Sequence, residues 1–461
     1  MTLVQELASF TVDRSFKDLS GSAKEALKIR VLDSLGCAIG ALAGEPVRFL
    51  RAHVEDFGGS DRSTLIGGGR TAPDRAALYN AALVRYLDFN DSYLAKGETC
   101  HPSDNLGAIL AAAEYTDGSG EELLTALAVA YQVQCRLSDV APVRKKGFDH
   151  TTQMAYGVAA GVAKALRLDE RQTANAIAIS GTAHNALRVT RTGSLSHWKG
   201  LAAPNTGFGG THAAFLAMRG ITGPPEVFEG NKGFMDSIAG RFDIDWSKED
   251  LERVTRTIIK KYNAEIHSQS SIEGLLELRV TEGFEAKDVE TIDVDIFDVA
   301  YDIIGGGEEG SKVDVRTKEE ADHSLNYMLA VALLDGTVMP AQYEAKRIVR
   351  ADVQDLLRRI RIRPRPEFSS RFPEEMPMRL RVRLANGRVV EAEKRDYEGF
   401  TTRPMGWEGA ARKFHGLASR FAAGPLRERL VDTIARLDRV KVTDLTALLS
   451  KVGKGQGKGR R

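Results

Sequence analysis

From Ser22 to Leu42 the apolar residues Leu27, Val31, Leu35, Ile39 and Leu42 recur every three or four positions, the period of a helix with one buried face. Ser22 and Glu25 have the spacing of a capping box, in which each side chain satisfies a free N–H of the first turn, and Gly44 with Pro46 supplies the stop. The same grammar recurs with Ser119 and Glu122 before an apolar run to about Val133, and with Asp169 and Gln172 before one to about Ile179. As far as about residue 250 the chain reads as helices and loops with few strands.

Beyond that point the period changes. Ile292, Val294 and Ile296 alternate with Asp293 and Asp295, and Ile360 and Ile362 alternate with arginines, as in half-buried strands. Leu380, Val382 and Leu384 alternate with Arg379, Arg381 and Arg383, and Asn386-Gly387 then offers the φ > 0 pair of a type I′ hairpin before Val389. Helices to cover these strands are expected from Ser268 to about Val280 and from Lys318 to about Leu334, the latter opened by a Thr317/Glu320 capping box. After Pro404 helical spacing returns at Leu426, Leu430, Ile434 and Leu437. The expected fold is mainly α: a large all-helical domain (1–255), a smaller α+β lid domain (256–403), a helical segment returning to the large domain (404–450) and a flexible basic tail (451–461).

Composition narrows the function. The 461 residues carry 64 Lys+Arg against 63 Asp+Glu, a net charge of +1, so no global field draws nucleic acid or a membrane surface. No stretch approaches the roughly 18–20 apolar residues of a membrane span. The N-terminus is interrupted by Glu6, Asp13 and Arg14, unlike a signal peptide. A cytoplasmic protein is expected, without nucleic-acid or membrane partners. The Gly-rich basic tail has no aromatic residue for stacking on bases. Cys37, Cys100 and Cys135 are too few and too scattered for a disulfide framework or a Cys-x-x-Cys metal site.

Three concentrations of polar residues could carry chemistry. The segment Tyr86 to Asn105 gathers Asp88, Asp91, Lys96, Glu98, His101 and Asp104, and a carboxylate beside an imidazole suits acid–base work near neutral pH. A solvated loop capped at Ser103 or Asp104 explains the same residues. From Arg188 to Asn205, Arg188, Arg191, His197 and Lys199 stand without neighbouring acids, which suggests an anionic ligand; a solvated basic loop is the alternative. The third, Ile258 to Gln269, holds Lys260, Lys261, Glu265 and His267 where the helical region gives way to the strands.

Other motifs fail. Ser196 to Lys199 matches S-x-x-K and Ser103-Asp104-Asn105 matches S-D-N, but in the reverse of the order used by penicillin-binding serine enzymes. Gly305 to Gly307 is followed by Glu308 and Glu309, which repel phosphate. An aconitase-type cluster needs three converging thiolates, whereas Cys37 and Cys135 lie in apolar helices. No metal ligands and no cofactor site are expected.

Taken in order, RVLDSLGCAIGAL (30–42), YLDFND (86–91), HPSDN (101–105), SLSHWKG (194–200), the Gly220 to Phe234 run and DHSLNYMLAVALLDG (322–336) resemble the 2-methylcitrate dehydratase family, also called MmgE/PrpD, which includes cis-aconitate decarboxylase. The resemblance implies a homodimer of a helical domain plus an α+β lid. It also implies a small di- or tricarboxylate substrate and no metal or organic cofactor. Carried over by motif, its catalytic positions fall on Asp91, His101, His150, Lys199, Lys260 and Tyr327; Arg188, Arg191, His197 and Glu265 are expected to bind the substrate. Decarboxylase members place a histidine where this chain has Glu265. The implied reaction is dehydration of a hydroxy-tricarboxylate such as 2-methylcitrate to a cis-aconitate-type alkene, with decarboxylation or epimerisation of a related acid as the alternative.

Overall fold

A computed structural model describes residues 1–453; residues 454–461, most of the basic tail, lie outside the described residues. The chain is mainly α and divides into two compact units. One is formed by residues 1–190, 200–257 and the C-terminal segment from Gly406, the other by Arg191–Lys199 and Ile258–Met405. Among the described residues no helix is long and apolar enough to cross a membrane.

The first unit is a stack of helices whose innermost members are buried on nearly every side. Leu106–Tyr115 and Thr151–Ala165 are rich in alanine and glycine, which lets backbones approach closely. Gly107 is one such point: an added Cβ would overlap the main chain of Ala81 in the helix Pro73–Tyr86. The capping boxes at Ser119/Glu122 and Asp169/Gln172 are formed. That at Ser22/Glu25 is not. The helix Gly21–Gly40 starts two residues earlier, because Ser20 takes the extended N-cap conformation and its Oγ accepts from Ala23 N–H at 3.0 Å, leaving Ser22 inside the first turn. The helix Trp407–Ala418 of the C-terminal segment belongs to this unit, and its Lys413 Nζ meets Asp33 Oδ1 and the Phe89 carbonyl, each at 2.7 Å. That carbonyl is two residues from Asp91.

In the second unit the expected strands form one four-stranded sheet in the order Ile360–Pro364, Val289–Ile296, Met378–Leu384, Val389–Lys394; the first pair is parallel and the others antiparallel. Register explains the two faces. Ile292, Val294 and Ile296 align with Val382, Leu380 and Met378 on the buried face, while Asp293–Arg381–Glu391 and Asp295–Arg379–Glu393 form rows of alternating charge on the other. The hairpin turn differs from the type I′ expectation, since Gly387 takes φ 84° but Asn386 stays at negative φ and its Oδ1 accepts from Arg388 N–H at 3.0 Å. Gln269–Glu282 packs on the sheet as expected. The helix expected over 318–334 is broken into Lys318–Ala321 and Leu325–Asp335. Ser324 causes the break by capping the second piece, its side chain accepting from Tyr327 N–H at 3.0 Å. Asp322 and His323 are thereby placed in the gap.

Candidate active site

The first unit holds Asp91, His101 and His150. The helix Pro73–Tyr86 is followed by a tight turn in which Asp88 takes φ 53°, a conformation tolerated better by Asp than by most residues. Buried Arg85 fixes that turn, with Nη1 donating to Asp88 Oδ1 at 2.6 Å and Nε 3.6 Å from Asp104 Oδ2. Asn90 ties the loop to the next segment by donating to Ser103 Oγ at 2.8 Å and Asp104 Oδ1 at 2.9 Å. Asp91 is fully buried. Its Oδ1 accepts from Ser103 Oγ (2.6 Å) and Ser103 N–H (3.1 Å), its Oδ2 from the Tyr131 hydroxyl (2.8 Å). Burial first, and the Asp91 charge next, push the Tyr131 hydroxyl far above its ordinary value, so it stays a donor.

His101 follows the short hairpin Tyr93–Ala95/Glu98–Cys100. Its Nδ1 lies 2.8 Å from the Asp91 main-chain carbonyl and 3.1 Å from Ser92 Oγ. A carbonyl oxygen only accepts, so Nδ1 carries the proton and, in the neutral ring, Nε2 is the basic nitrogen. The main-chain carbonyl of Asp91, and not its carboxylate, orients Nδ1, while the carboxylate anchors Ser103 and Tyr131. His150 stands at the N-terminus of Thr151–Ala165, with its ring edge-on to His101 at a centroid distance of 5.2 Å and its Nε2 3.8 Å from buried Asp149.

In the second unit Lys199 Nζ lies 2.6 Å from Asp322 Oδ1 and 2.8 Å from His323 Nδ1, and Lys318 Nζ meets Asp322 Oδ2 at 2.7 Å. Burial alone would raise the Asp322 carboxyl, but Lys199, Lys318 and His323 hold it well below the usual carboxylate range. Buried Arg191 donates to the Lys199 carbonyl at 3.3 Å. Lys260 is buried, and the backbone beside it is clamped: Ile259 N–H donates to Gly399 O at 3.0 Å, and the Ile259 carbonyl accepts from the Tyr397 hydroxyl at 3.1 Å. Gly399 is required there, since it takes φ 124° and a Cβ would overlap the Ile259 carbonyl. Lys261 turns the other way, to Glu273 and Glu398 at 2.9 Å each.

Other expected residues sit differently. Arg188 has an acid neighbour, Asp149, at 3.9 Å, and Lys199 has Asp322, so neither is a cation without acids; both partners are remote in sequence and escape a local scan. His197 is exposed. Tyr327 is buried, its hydroxyl donating to the Gln342 carbonyl. Asp322, His323 and Tyr131 were not singled out from sequence. The signal for the first two is the Asp-His dipeptide directly before the capping Ser324. All three cysteines are buried, and none of them forms a disulfide.

The sequence matches the MmgE/PrpD N-terminal domain over residues 5–247 and the MmgE/PrpD C-terminal domain over residues 262–439. It is 29% identical to 2-methylcitrate dehydratase of Escherichia coli (strain K12) over 338 residues, 68% of each chain. Identity to 2-methylcitrate dehydratase of Cupriavidus necator is 27%, across 81% of this chain and 80% of that one. Cis-aconitate decarboxylase of Mus musculus is 24% identical, across 92% of this chain and 88% of its own.

Proposed function

The chain belongs to the MmgE/PrpD family, and we propose that it is a hydro-lyase that removes water from a hydroxy-tricarboxylate such as 2-methylcitrate to leave a cis-aconitate-type alkene. The observation that carries this reading is the buried His101/His150 pair, because a β-elimination needs one group to take a proton and another to give one. His101 is the base through Nε2. His150, beside Asp149, is the acid that protonates the departing hydroxyl.

The proton removed lies next to a carboxylate, so the developing enediolate carries extra negative charge that must be stabilised where it forms. Lys199, Lys260 and Arg191 supply that positive charge and hold the carboxylates. The C–H electrons become the new C=C bond, the C–O bond breaks, and water leaves with the proton from His150. Asp91 is a positioning residue for the Ser103 turn that follows His101. The enzyme acts as a cytoplasmic homodimer of helical and α+β domains and needs no metal or organic cofactor for this step.

The test is a panel of 2-methylcitrate stereoisomers, citrate, cis-aconitate and related dicarboxylates, read by mass spectrometry. Loss of 18 mass units, on the order of one water, from a hydroxy-tricarboxylate supports the reading. Loss of carbon dioxide, or stereochemical inversion without mass change, replaces it with decarboxylation or epimerisation. Activity retained after exhaustive chelation under air supports the cofactor-free step, and activity lost to chelator and restored by iron and sulfide overturns it.

A further inference from the structure

Glu265 caps the short turn Ile266–Ser268. Its carboxylate accepts twice from one residue: Oε2 from the His267 main-chain N–H and Oε1 from His267 Nδ1, both at 2.8 Å. The His267 side chain is 0% exposed. Its ring lies 5.6 Å by centroid from each of Phe297 and Phe372, which are stacked on one another at 4.5 Å, and its Nε2 has no hydrogen-bond partner among the described residues. A ring so enclosed has no room to turn its Nδ1 away from Glu265.

Each carboxylate oxygen offers two lone pairs, and His267 takes one from each. The groups that act on Glu265 from other elements are His323, Lys260 and Lys312, while Asp322 presents its main-chain carbonyl, accepting from Glu265 N–H at 3.3 Å. Burial alone would raise the Glu265 carboxyl; His267 above all, then His323 and Lys260, reverse this and hold it at about 2. The result is a fixed acceptor close to cations. Carboxylate groups of a substrate are drawn to the lysines and repelled by Glu265, whereas a hydroxyl can donate to it.

We infer that His267 is a positioning residue that fixes Glu265 as an ionised acceptor for the substrate's hydroxyl, making this pair the element that selects a hydroxy acid over the same carbon frame without the hydroxyl. The inference rests on Glu265 as a substrate-binding residue, and it is tested by binding rather than turnover.

The probes are citrate and tricarballylate, which share three carboxylates and differ by one hydroxyl, titrated calorimetrically into the full-length protein. Wild type is expected to prefer citrate by about tenfold or more, the worth of one hydrogen bond to a charged group. H267F should abolish the preference while leaving tricarballylate binding within about twofold, and E265Q should weaken it likewise. H267N keeps a donor near the Nδ1 position and should restore most of the preference. A wild-type protein without preference overturns the inference, as does an H267F protein that keeps it. If H267F fails to fold, E265Q and H267N decide alone: full selectivity in E265Q overturns the inference. A protein that selects citrate yet dehydrates no member of the substrate panel retains this inference and loses the proposed reaction.

Discussion

Two buried acids, Asp91 in the first unit and Asp322 in the second, are stabilised on opposite plans. In the first, Asp91 is held by neutral donors, Ser103 and Tyr131, and where cations or main-chain N–H groups reach Asp33 and Glu98, burial still outweighs them and both carboxyls are pushed up. In the second, cations win. Asp322 is ringed by Lys199, Lys318 and His323, and Glu273 by Lys394, Lys261 and Arg403, which overcome burial and hold the latter at about 2. Dipoles fix geometry without adding charge, which suits groups that must exchange protons. Fixed opposite charges suit groups that must remain ionised while an anionic substrate comes and goes.

The largest effect should come from breaking the first plan at its proton-exchanging end. His101→Ala is expected to lower kcat/KM by roughly 10²- to 10⁴-fold, the range of general acid–base catalysis. Asp91→Asn leaves one donor facing Ser103 or Tyr131, so it should cost stability, on the order of 1–3 kcal/mol, together with turnover. Paired melting and kinetic measurements check both variants. An Asp91→Asn protein that melts like wild type and turns over normally would remove Asp91 from the support of the Ser103 turn.

Breaking the second plan should be felt first in stability. Lys199→Met leaves Asp322 buried with a poorer set of cations, and removing one member of such a pair costs about 3–5 kcal/mol when nothing replaces it. Lys318 moderates that figure. Lys199→Met/Asp322→Asn should regain a large part of the loss without regaining activity, since the anion-binding ammonium is still missing. Urea denaturation of the two single variants and the double variant gives the coupling directly, and strict additivity would mean that the contact contributes nothing.

Acid separates the units without mutation. Glu265 and Glu273 have folded values of about 2 against an ordinary 4.5, so their contribution is complete above the ordinary value and is lost as pH falls from about 4.5 towards 2. Asp33 and Glu98 are raised, so the folded first unit takes up their protons before the unfolded chain does, and it gains from them as pH falls. Hydrogen exchange at pH 6 and pH 3.5, corrected for intrinsic rates, should therefore show a greater loss of protection in the segments 262–275 and 318–328 than in 28–40 and 98–110. Equal loss would mean that the cation rings of the second unit do not control its acid stability.

Much of this was legible in the chain. Period-two alternation marks three of the four strands of the sheet and the Asn386-Gly387 turn points to the fourth, and two of the three capping boxes expected in the first unit are formed, because these signals are local. What escaped depends on residues far apart in sequence. Asp322 belongs to Lys199, and Asp149 to Arg188, through folding alone. Nothing local distinguishes a Ser that caps a helix from one two residues later, so the Ser22/Glu25 spacing points to the wrong serine and Ser20 is the cap. The gap at Asp322–Ser324 was overlooked for the opposite reason, a continuous helical pattern that a single serine cap interrupts. Main-chain chemistry was invisible too: the sequence places an acid near His101 but cannot say that its carbonyl, and not its carboxylate, holds the ring.

The smallest expected effect sharpens the comparison most closely, because it separates two adjacent lysines that sequence cannot tell apart. Lys260 is buried and within the field of Glu265, whereas the Lys261 side chain is one-third exposed and spent on Glu273 and Glu398. If Lys260 meets substrate carboxylate, Lys260→Met should reduce kcat/KM by about tenfold to a hundredfold, the loss of one charge-assisted bond of roughly 1.5–3 kcal/mol. Lys261→Met removes two partly solvated ion pairs, for each of which solvent screening leaves about 0.2–1 kcal/mol. Glu273 also keeps Lys394 at 2.6 Å and Arg403 at 2.8 Å, so no buried charge is stranded. Lys261→Met should therefore melt slightly lower than wild type and turn over within about twofold of it. The reverse result, with Lys261 essential and Lys260 dispensable, would mean that the clamp at Ile259 and Gly399 presents the outer lysine to the substrate, and that the buried one merely balances Glu265.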